Sequence, residues 1–269
     1  MWPAVSVLLP FRNARATIEE ALDSVLAQED VRLQVIAVDD GSTDGGGEVA
    51  LRLARRHRAL CVERTSGLGI VGALEVSLRA AEHGWLARMD GDDVCLPGRF
   101  AQQVDALAAD ERLGALGTRV IAFGDGVGRG MHEYVAWQNE LLSWEEHQRE
   151  IFIESPLCHP SVMLRRAALE AVGLWRAGPF PEDYDLWLRL DAAGWRLAKL
   201  PTVLLKWRHV PGRMTFADPK FSPSGFLHSK APHLARRLIA WARPVWIWGA
   251  GPTGKRLGRA LEAHGVCAS

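Results

Sequence analysis

The segment Arg88-Met89-Asp90-Gly91-Asp92-Asp93 decides how the rest of this sequence is interpreted. It follows the apolar run 85–87 and precedes Pro97, a residue that favours the first turn of a helix. The acidic residues are therefore predicted at the end of a strand, where a loop begins. In open α/β sheets, ligands bind outside the carboxyl ends of the strands. This loop is accordingly the first candidate for a binding site.

The spacing of Asp90 and Asp92 suggests a metal site. Gly91 leaves no side chain between them, so the loop can turn both carboxylates inward. Two carboxylates this close repel each other unless a cation or hydrogen bonds compensate. Carboxylate oxygens suit Mg²⁺ or Mn²⁺, which usually bind one or two carboxylates together with substrate phosphates. For an isolated pair of this kind, however, a solvated acidic turn is the more common structure.

Strands and helices alternate through the first half of the chain. The apolar run at 5–9 is typical of a buried parallel strand, and 33–38 is predicted as the second strand. Thr17 and Glu20 have the spacing of a helix capping box. Pro10 and Pro201 are each expected to interrupt a strand. The alternation predicts an α/β fold with a mainly parallel central sheet flanked by helices. The carboxylates that follow the second strand should then lie at the same sheet edge as the Asp90 loop.

The composition narrows the classes of function. The 269 residues are 48% hydrophobic, enough for one large domain or a domain plus a fragment. Lys+Arg and Asp+Glu are both 32, so no nucleic-acid partner is expected. The beginning lacks the charged region of a signal peptide, and the 4 cysteines have no C-x-x-C spacing. We expect a cytoplasmic protein, compatible with a position at the inner face of the membrane.

The C-terminal tail carries a second motif. Residues 249–254 fit G-x-G-x-x-G between a predicted strand at 244–248 and a predicted helix at 255–264. The sequence ends before the ribose-binding acid expected about 20 residues further on, so NAD binding is not expected. The preceding basic segment, 230–243, suits a helix packed on the domain better than one lying on a membrane surface. Peripheral membrane contact is kept as an alternative.

The motifs together resemble the family-2 inverting glycosyltransferases, which have the GT-A fold that binds nucleotide-diphospho-sugars. The resemblance covers 1–214 and rests on Val5-Ser6-Val7-Leu8-Leu9-Pro10 with Asn13, Val38-Asp39-Asp40-Gly41-Ser42-Thr43-Asp44, Met89-Asp90-Gly91-Asp92-Asp93, His159-Pro160-Ser161 and Glu182-Asp183-Tyr184-Asp185-Leu186-Trp187. It implies a GT-A domain, assigned to 1–225. A basic amphipathic helix or linker is expected at 226–243, and the tail motif predicts a truncated Rossmann-like βα unit at 244–269.

The resemblance also implies a metal-dependent inverting glycosyltransferase. It would move a sugar from a UDP-sugar or similar donor to a hydroxyl of a carbohydrate or lipid-linked acceptor. Asp183 would be the general base with Glu182 beside it, and Asp92 and His209 would contact Mn²⁺ or Mg²⁺. The donor-binding residues would be Pro10, Phe11, Arg12, Asn13, Asp39, Asp40, Asp90 and Gly91. Because Arg12 stands where an aromatic residue often stacks on the base, stacking would fall to Phe11 or to the Arg12 guanidinium.

Simpler roles compete with these assignments. Asp39, Asp40 and Asp44 could cap a following helix, and Glu182-Asp183 could only stabilise a helix dipole. His209 is balanced between a metal or phosphate contact and a solvent-exposed loop position. The alternative functions are a nucleotidyltransferase on a similar sheet, a non-catalytic sugar-nucleotide-binding protein and, from the tail alone, an NAD-dependent oxidoreductase.

Overall fold

The computed structural model describes residues 2–125, 127–209, 218–249 and 251–267. Within these residues the strands belong to one sheet. They are β1 (Ala4–Phe11), β2 (Arg32–Asp40), β3 (Leu60–Thr65), β4 (Trp85–Arg88), β5 (Val94–Cys95), β6 (Leu113–Phe123), β7 (Met163–Arg165) and β8 (Arg196–Arg208). Their order in the sheet is β3-β2-β1-β4-β7-β6-β8-β5.

Helices cover both faces of this sheet. The α-helices are α1 (Ile18–Leu26), α2 (Gly46–Ala54), α3 (Gly69–Ala80), α4 (Arg99–Ala109), α5 (Arg129–Glu140), α6 (Trp144–Glu150), α7 (Arg166–Ala171), α8 (Glu182–Ala192), α9 (Pro223–Trp241) and α10 (Pro252–Glu262). Short 3₁₀ turns lie at His159–Ser161 and Pro219–Phe221.

The strand pairing confirms the predicted α/β fold with a mainly parallel sheet. The four strands β3, β2, β1 and β4 are mutually parallel. Strand β7 runs antiparallel to both β4 and β6, and β5 runs antiparallel to β8. Strands β6 and β8 are parallel to each other. The carboxyl ends of β2 and β4 therefore lie on the same edge, with β1 between them.

Each face of the sheet buries its own hydrophobic cluster. Val7 and Leu9 of β1 belong to the cluster that includes Ile18 of α1 and Phe100 of α4. Leu8 belongs instead to the opposite cluster, which includes residues of α3 and α8. Because successive side chains of a strand point to opposite faces, a strand buried on both faces is apolar throughout. This explains the apolar run at 5–9.

Three local expectations are wrong. Thr17 precedes α1, but its hydroxyl makes no capping bond and donates instead to the Gly91 carbonyl at 2.9 Å. Strand β1 continues through Pro10, which lies beyond the last β1–β4 pair, Leu8 with Arg88. There a ladder bond toward β4 is no longer required, so the missing N–H is tolerated. Strand β8 continues through Pro201, opposite register shifts in β6 that absorb the irregularity.

The C-terminal part of the chain packs onto the body that bears the sheet. Arg237 of α9 pairs with Asp191 at 2.6 Å, and Lys230 donates to the Phe152 carbonyl at 3.0 Å. A small apolar cluster centred on Ala235 and Leu261 joins α9 to α10. The strand expected at 244–248 does not form, since Val245 makes only an isolated bridge there. The division at 225 and 243 stays a prediction.

Among the described helices, none combines the length and the apolar character needed to cross a bilayer.

Candidate active site

The loop after β4 is packed tightly against the end of β1. A Cβ atom on Gly91 would lie 2.7 Å from Cβ of Phe11 and 3.2 Å from Cδ1 of Ile18, so only glycine fits this position. The Thr17 hydroxyl holds the Gly91 carbonyl from α1. Gly91 therefore fixes where its acidic neighbours stand, and it is itself buried.

Three carboxylates come together in this loop. Oxygens of Asp90, Asp92 and Asp93 lie within 4.8 Å of one another. Asp93 is fully buried, and Arg88, also buried, pairs with Asp90 at 2.6 Å. This cationic partner offsets part of the repulsion within the group. Oxygen ligands at this density suit Mg²⁺ or Mn²⁺.

Arg208, at the end of β8, ties the acidic loop to the rest of the sheet. Its backbone N–H donates to Asp93 Oδ1 at 2.7 Å, and its Nε donates to the Asp92 carbonyl at 2.6 Å. Its guanidinium also pairs with Glu20 of α1. The roles of Arg208, Asp93 and Arg88 are not among those predicted from the sequence. For Arg88 and Asp93, the available signal was their position within the acidic motif itself.

His209 follows directly and is buried, with 2% of its surface exposed. Its ring stands edge-on to Trp207 with centroids 4.4 Å apart. The alternative of a solvent-exposed position is therefore wrong. His209 does not belong to the group of three carboxylates, and its metal contact stays a prediction. The rest of this motif, 210–213, lies outside the described residues.

Asn13 joins the loops that follow β1 and β2. It has a left-handed backbone (φ 53°), and its side-chain oxygen accepts from the Thr43 N–H at 2.9 Å. Its own N–H donates to Ser42 Oγ at 2.9 Å. Asp44 accepts from the backbone N–H groups of Arg15 and Gly46, both at 2.8 Å. These bonds shape the sheet edge beside the acidic loop.

The two carboxylates at the end of β2 are also engaged. Asp40 accepts from the N–H groups of Leu68 and Gly69 at 2.6 and 2.8 Å, and from the Thr65 hydroxyl. Burial opposes ionisation, but these hydrogen bonds and the charge of Arg12 outweigh it and lower the pKa of Asp40. Asp40 thus caps α3 rather than α2, the helix that follows it directly.

Asp39 is held from two sides. Its Oδ1 accepts from the Ser42 N–H at 2.9 Å, and its Oδ2 lies 3.3 Å from Arg64 Nε. A Cβ atom on Gly47 would lie 2.0 Å from Asp39 Oδ2. The glycine at the start of α2 therefore leaves room for this carboxylate.

The remaining donor candidates differ in accessibility. Pro10 and Phe11 are buried, and Phe11 belongs to a core cluster. Arg12 is exposed, and its guanidinium approaches Gly67. Of the two side chains considered for stacking on a base, only Arg12 presents an exposed surface. A donor-binding role for each residue of 10–13 stays a prediction.

Glu182 and Asp183, the acidic pair at the start of α8, make different contacts. Glu182 is buried, with Lys220 Nζ at 3.0 Å and His159 Nδ1 at 4.0 Å. The partly buried Asp183 accepts from the Tyr184 N–H at 2.7 Å. Burial and then the charge of Glu182 raise the pKa of Asp183 to about 7. A carboxylate with such a pKa suits general-base chemistry.

His159 lies between Trp175 and Glu182. Trp175 Nε1 donates to His159 Nε2 at 3.2 Å, which leaves the proton of a neutral ring on Nδ1, facing Glu182. Burial, followed by the charges of Arg88 and Lys220, lowers the pKa of His159 well below its usual value. A neutral packing and hydrogen-bonding residue fits these contacts better than a charged one.

A cavity of about 570 Å³ lies beside Glu182. One wall is the start of α3, at Leu68 and Gly69, whose N–H groups bind Asp40. Glu182 and Lys220 also line the cavity. The cavity thus runs between the sheet edge and the start of α8, and offers space for a substrate.

These features define the class of the protein: an α/β protein with the GT-A fold, which solved glycosyltransferase structures share. The family model for glycosyl transferase family 2 matches residues 6–173, and the chain belongs to that family. It is therefore a glycosyltransferase, as the sequence motifs predicted.

Similar proteins agree with this assignment. The amylovoran biosynthesis glycosyltransferase AmsE of Erwinia amylovora is 30% identical over 206 residues, which cover 76% of this chain and 75% of that protein. An Escherichia coli UDP-Gal:alpha-D-GlcNAc-diphosphoundecaprenol beta-1,3-galactosyltransferase is 26% identical, with 77% and 74% covered. The structure of the mannosyltransferase PcManGT from Pyrobaculum calidifontis, in complex with GDP-Man and Mn²⁺, matches with a TM-score of 0.60 at 24% identity, covering 97% of this chain and 69% of that one.

Proposed function

We propose that this glycosyltransferase is metal-dependent and inverting, and that it transfers a sugar from a nucleotide-diphospho-sugar to an acceptor hydroxyl. The observation that carries the proposal is a pair of separate acidic sites. One is the three-carboxylate group after β4, and the other is Asp183, whose pKa is raised to about 7. Metal-assisted transfer with general-base activation requires these two kinds of site.

The residues fit a divalent cation. Oxygens of Asp90, Asp92 and Asp93 lie within 4.8 Å of one another, and all three are carboxylates. They would hold Mg²⁺ or Mn²⁺, which when bound offsets the negative charge of the leaving diphosphate as a Lewis acid. His209, buried beside Trp207, is kept as a further candidate for this metal.

Asp183 would act on the acceptor. Its carboxylate takes the proton of the acceptor hydroxyl while that oxygen forms a bond to the anomeric carbon. The bond from the anomeric carbon to the diphosphate oxygen breaks, and the diphosphate leaves with the electron pair. A single displacement from the opposite face inverts the anomeric configuration. Glu182 stays in its ion pair with Lys220 and helps keep the pKa of Asp183 raised.

The donor would occupy the sheet edge formed by 10–13, Asp39, Asp40 and the Asp90 loop. The exposed guanidinium of Arg12 is the side chain that would stack on the base. Two of the similar proteins carry GDP-Man or UDP-Gal in their names, which supports a nucleoside-diphospho-sugar donor. The E. coli relative is named for a diphosphoundecaprenol acceptor, which supports a lipid-linked acceptor here.

A donor screen tests the proposal. Calorimetry with UDP, GDP and their common sugar conjugates, in Mn²⁺ and in EDTA, should find one nucleotide that binds more tightly with the metal. Turnover with the matched donor, followed by NMR of the anomeric proton, should show inversion. Equal affinity in EDTA would contradict the metal role, and a retained configuration would contradict single displacement. Failure of every nucleoside diphosphate to bind would overturn the donor assignment.

A further inference from the structure

A second cavity, of about 510 Å³, lies between α8 and α9. Its lining includes no residue of the sheet edge and none of the side chains assigned to the chemistry above. The polar side chains that matter for its chemistry are Arg176, Asp185, Arg189, Ser229, His233 and Arg236. We name this space the α8–α9 cleft.

Three polar atoms of the α8–α9 cleft are buried without a protein partner. They are Arg189 Nη2, Ser229 Oγ and His233 Nδ1, and within the described part of the chain none has a hydrogen-bond partner. Arg189 and Ser229 are both more than nine-tenths buried, at 8% and 4% exposure. Buried polar atoms are nearly always satisfied in folded proteins, so several orphans around one cavity point to a bound ligand.

Contacts within the protein hold the guanidinium group of Arg189 in place. Its Nε pairs with Asp185 Oδ2 at 2.7 Å, and its Nη1 donates to the Val172 carbonyl at 2.6 Å. These two bonds hold the guanidinium plane and leave Nη2 as the donor for a third group. A guanidinium and a hydroxyl held in this way suit the oxygens of a phosphate.

The charge of the α8–α9 cleft also favours an anion. Three guanidinium groups, those of Arg176, Arg189 and Arg236, face a single carboxylate, Asp185, among the lining residues. Burial and then the charges of Arg236, Arg189 and Arg176, only partly countered by Asp185, lower the pKa of His233. A second negative charge would therefore be stabilised here.

The α8–α9 cleft adjoins the cavity beside Glu182. Arg176, Phe180 and His228 line both spaces, and the rings of Phe180 and His228 are stacked with centroids 5.8 Å apart. A molecule held by a phosphate in the cleft could extend past this pair to the start of α8. There it would reach Glu182, which lines that cavity and precedes Asp183 in the chain.

We propose that the α8–α9 cleft binds a phosphate or diphosphate group and that this group belongs to the acceptor of the glycosyl transfer. The second half of this statement rests on the proposed function. A phosphate anchored by Arg189 and Ser229 would align the acceptor chain along the groove, with its hydroxyl near Asp183.

The test compares Arg176→Gln/Arg236→Gln with wild type and with Arg243→Gln as the control. Arg176 and Arg236 are exposed, so their loss should leave the fold intact, and Arg243 is an equally exposed arginine outside the cleft. Calorimetry in EDTA should show that the double variant binds inorganic pyrophosphate about tenfold or more weakly, as expected when charge-assisted contacts are removed. The control should match wild type.

A second probe identifies the source of the phosphate. Farnesyl diphosphate should bind wild type more tightly than pyrophosphate, with the same sensitivity to the double variant, if the cleft holds a lipid-linked acceptor. Equal affinity for the two probes would mean that the cleft takes the anion alone, which would overturn the acceptor assignment. Pyrophosphate affinity that is unchanged in the double variant would overturn the site. Nucleotide affinity with Mn²⁺, measured in parallel, separates these outcomes from failure of the proposed function.

Discussion

Glu182 Oε2 lies 3.0 Å from the Lys220 ammonium, and both side chains are largely buried at the start of α8. The neighbouring Asp183 carboxylate accepts instead from the Tyr184 N–H. Two adjacent acids thus have different surroundings, one neutralised by a cation and the other with a raised pKa. Lys220, 38 positions from Glu182 in the chain, gives the two adjacent acids these different surroundings.

Replacing Lys220 with methionine should change the pH dependence of turnover. The charge of Lys220 lowers the pKa of Asp183, so without the ammonium this pKa should rise further. The acidic limb of the pH–rate profile should therefore move to higher pH, with activity recovering as pH increases. Lys206→Met, which removes an exposed lysine of β8, is the control. A uniform loss of activity at every pH would mean that Lys220 has only a structural role.

Asp92→Ala should abolish the effect of metal on nucleotide affinity. Asp92 is one of the three carboxylates within 4.8 Å, and its loss leaves too few charged oxygens to hold Mn²⁺ against water. Calorimetry should give the same affinity in EDTA and in Mn²⁺ for this variant. Asp105→Ala, an exposed acid on α4, should behave like wild type. A full metal effect that survives in Asp92→Ala would contradict the ligand assignment.

Gly47→Ala should destabilise the protein by about 1–3 kcal/mol, the usual effect of overpacking. The added Cβ would lie 2.0 Å from Asp39 Oδ2 and would displace this buried carboxylate. Gly130→Ala is a matched control, since Gly130 is also the second residue of a helix but has nothing within 4 Å of the added Cβ. Urea unfolding should show a lower midpoint for Gly47→Ala only. Equal midpoints would show that Asp39 can move without penalty.

The local signals of the sequence were sufficient for the sheet and for the acidic loops. Residues 5–9 and 35–38 are all buried, as predicted for buried parallel strands. The capping box predicted at Thr17 does not form. Its hydroxyl donates to the carbonyl of Gly91, 74 positions away, and does not cap its own helix. Propensities describe neighbours in sequence, and a tertiary contact can override them.

Long-range contacts also complete the candidate site. Arg208 reaches Asp93 across 115 positions, and no spacing in the sequence could indicate that pairing. In the tail, a strand was predicted at 244–248 but does not form. These residues have the composition of a strand but no neighbouring strand in the described part of the chain to pair with. A strand requires a partner for its backbone groups, and composition alone cannot supply one.

Asp183→Asn should remove most acceptor-dependent turnover while leaving donor binding nearly intact. The amide keeps the shape of the side chain but cannot take a proton, and general-base catalysis typically contributes about 10²–10⁴-fold. Glu182→Gln, whose partner is Lys220, should lose less turnover. Turnover of a matched donor and acceptor, with donor affinity measured alongside, tests both variants. Near wild-type turnover in Asp183→Asn would refute the assignment, and a selective loss in Glu182→Gln would move the role to Glu182.

The raised pKa of Asp183 predicts two pH dependences, one of turnover and one of folding stability, which can be measured independently. Turnover of wild type should rise as pH increases through about 7, because only the ionised carboxylate accepts the proton. The stability of the folded protein should change with pH in the opposite direction. Between the unfolded value, 3.8, and about 7, the folded protein holds a proton that the unfolded chain has released, so stability falls as pH rises. Asp183→Asn lacks this group, and its melting temperature relative to wild type should increase from pH 4 to pH 7 in a thermal unfolding series. A difference that stays constant over this range would show that the pKa of Asp183 is not raised in the folded protein.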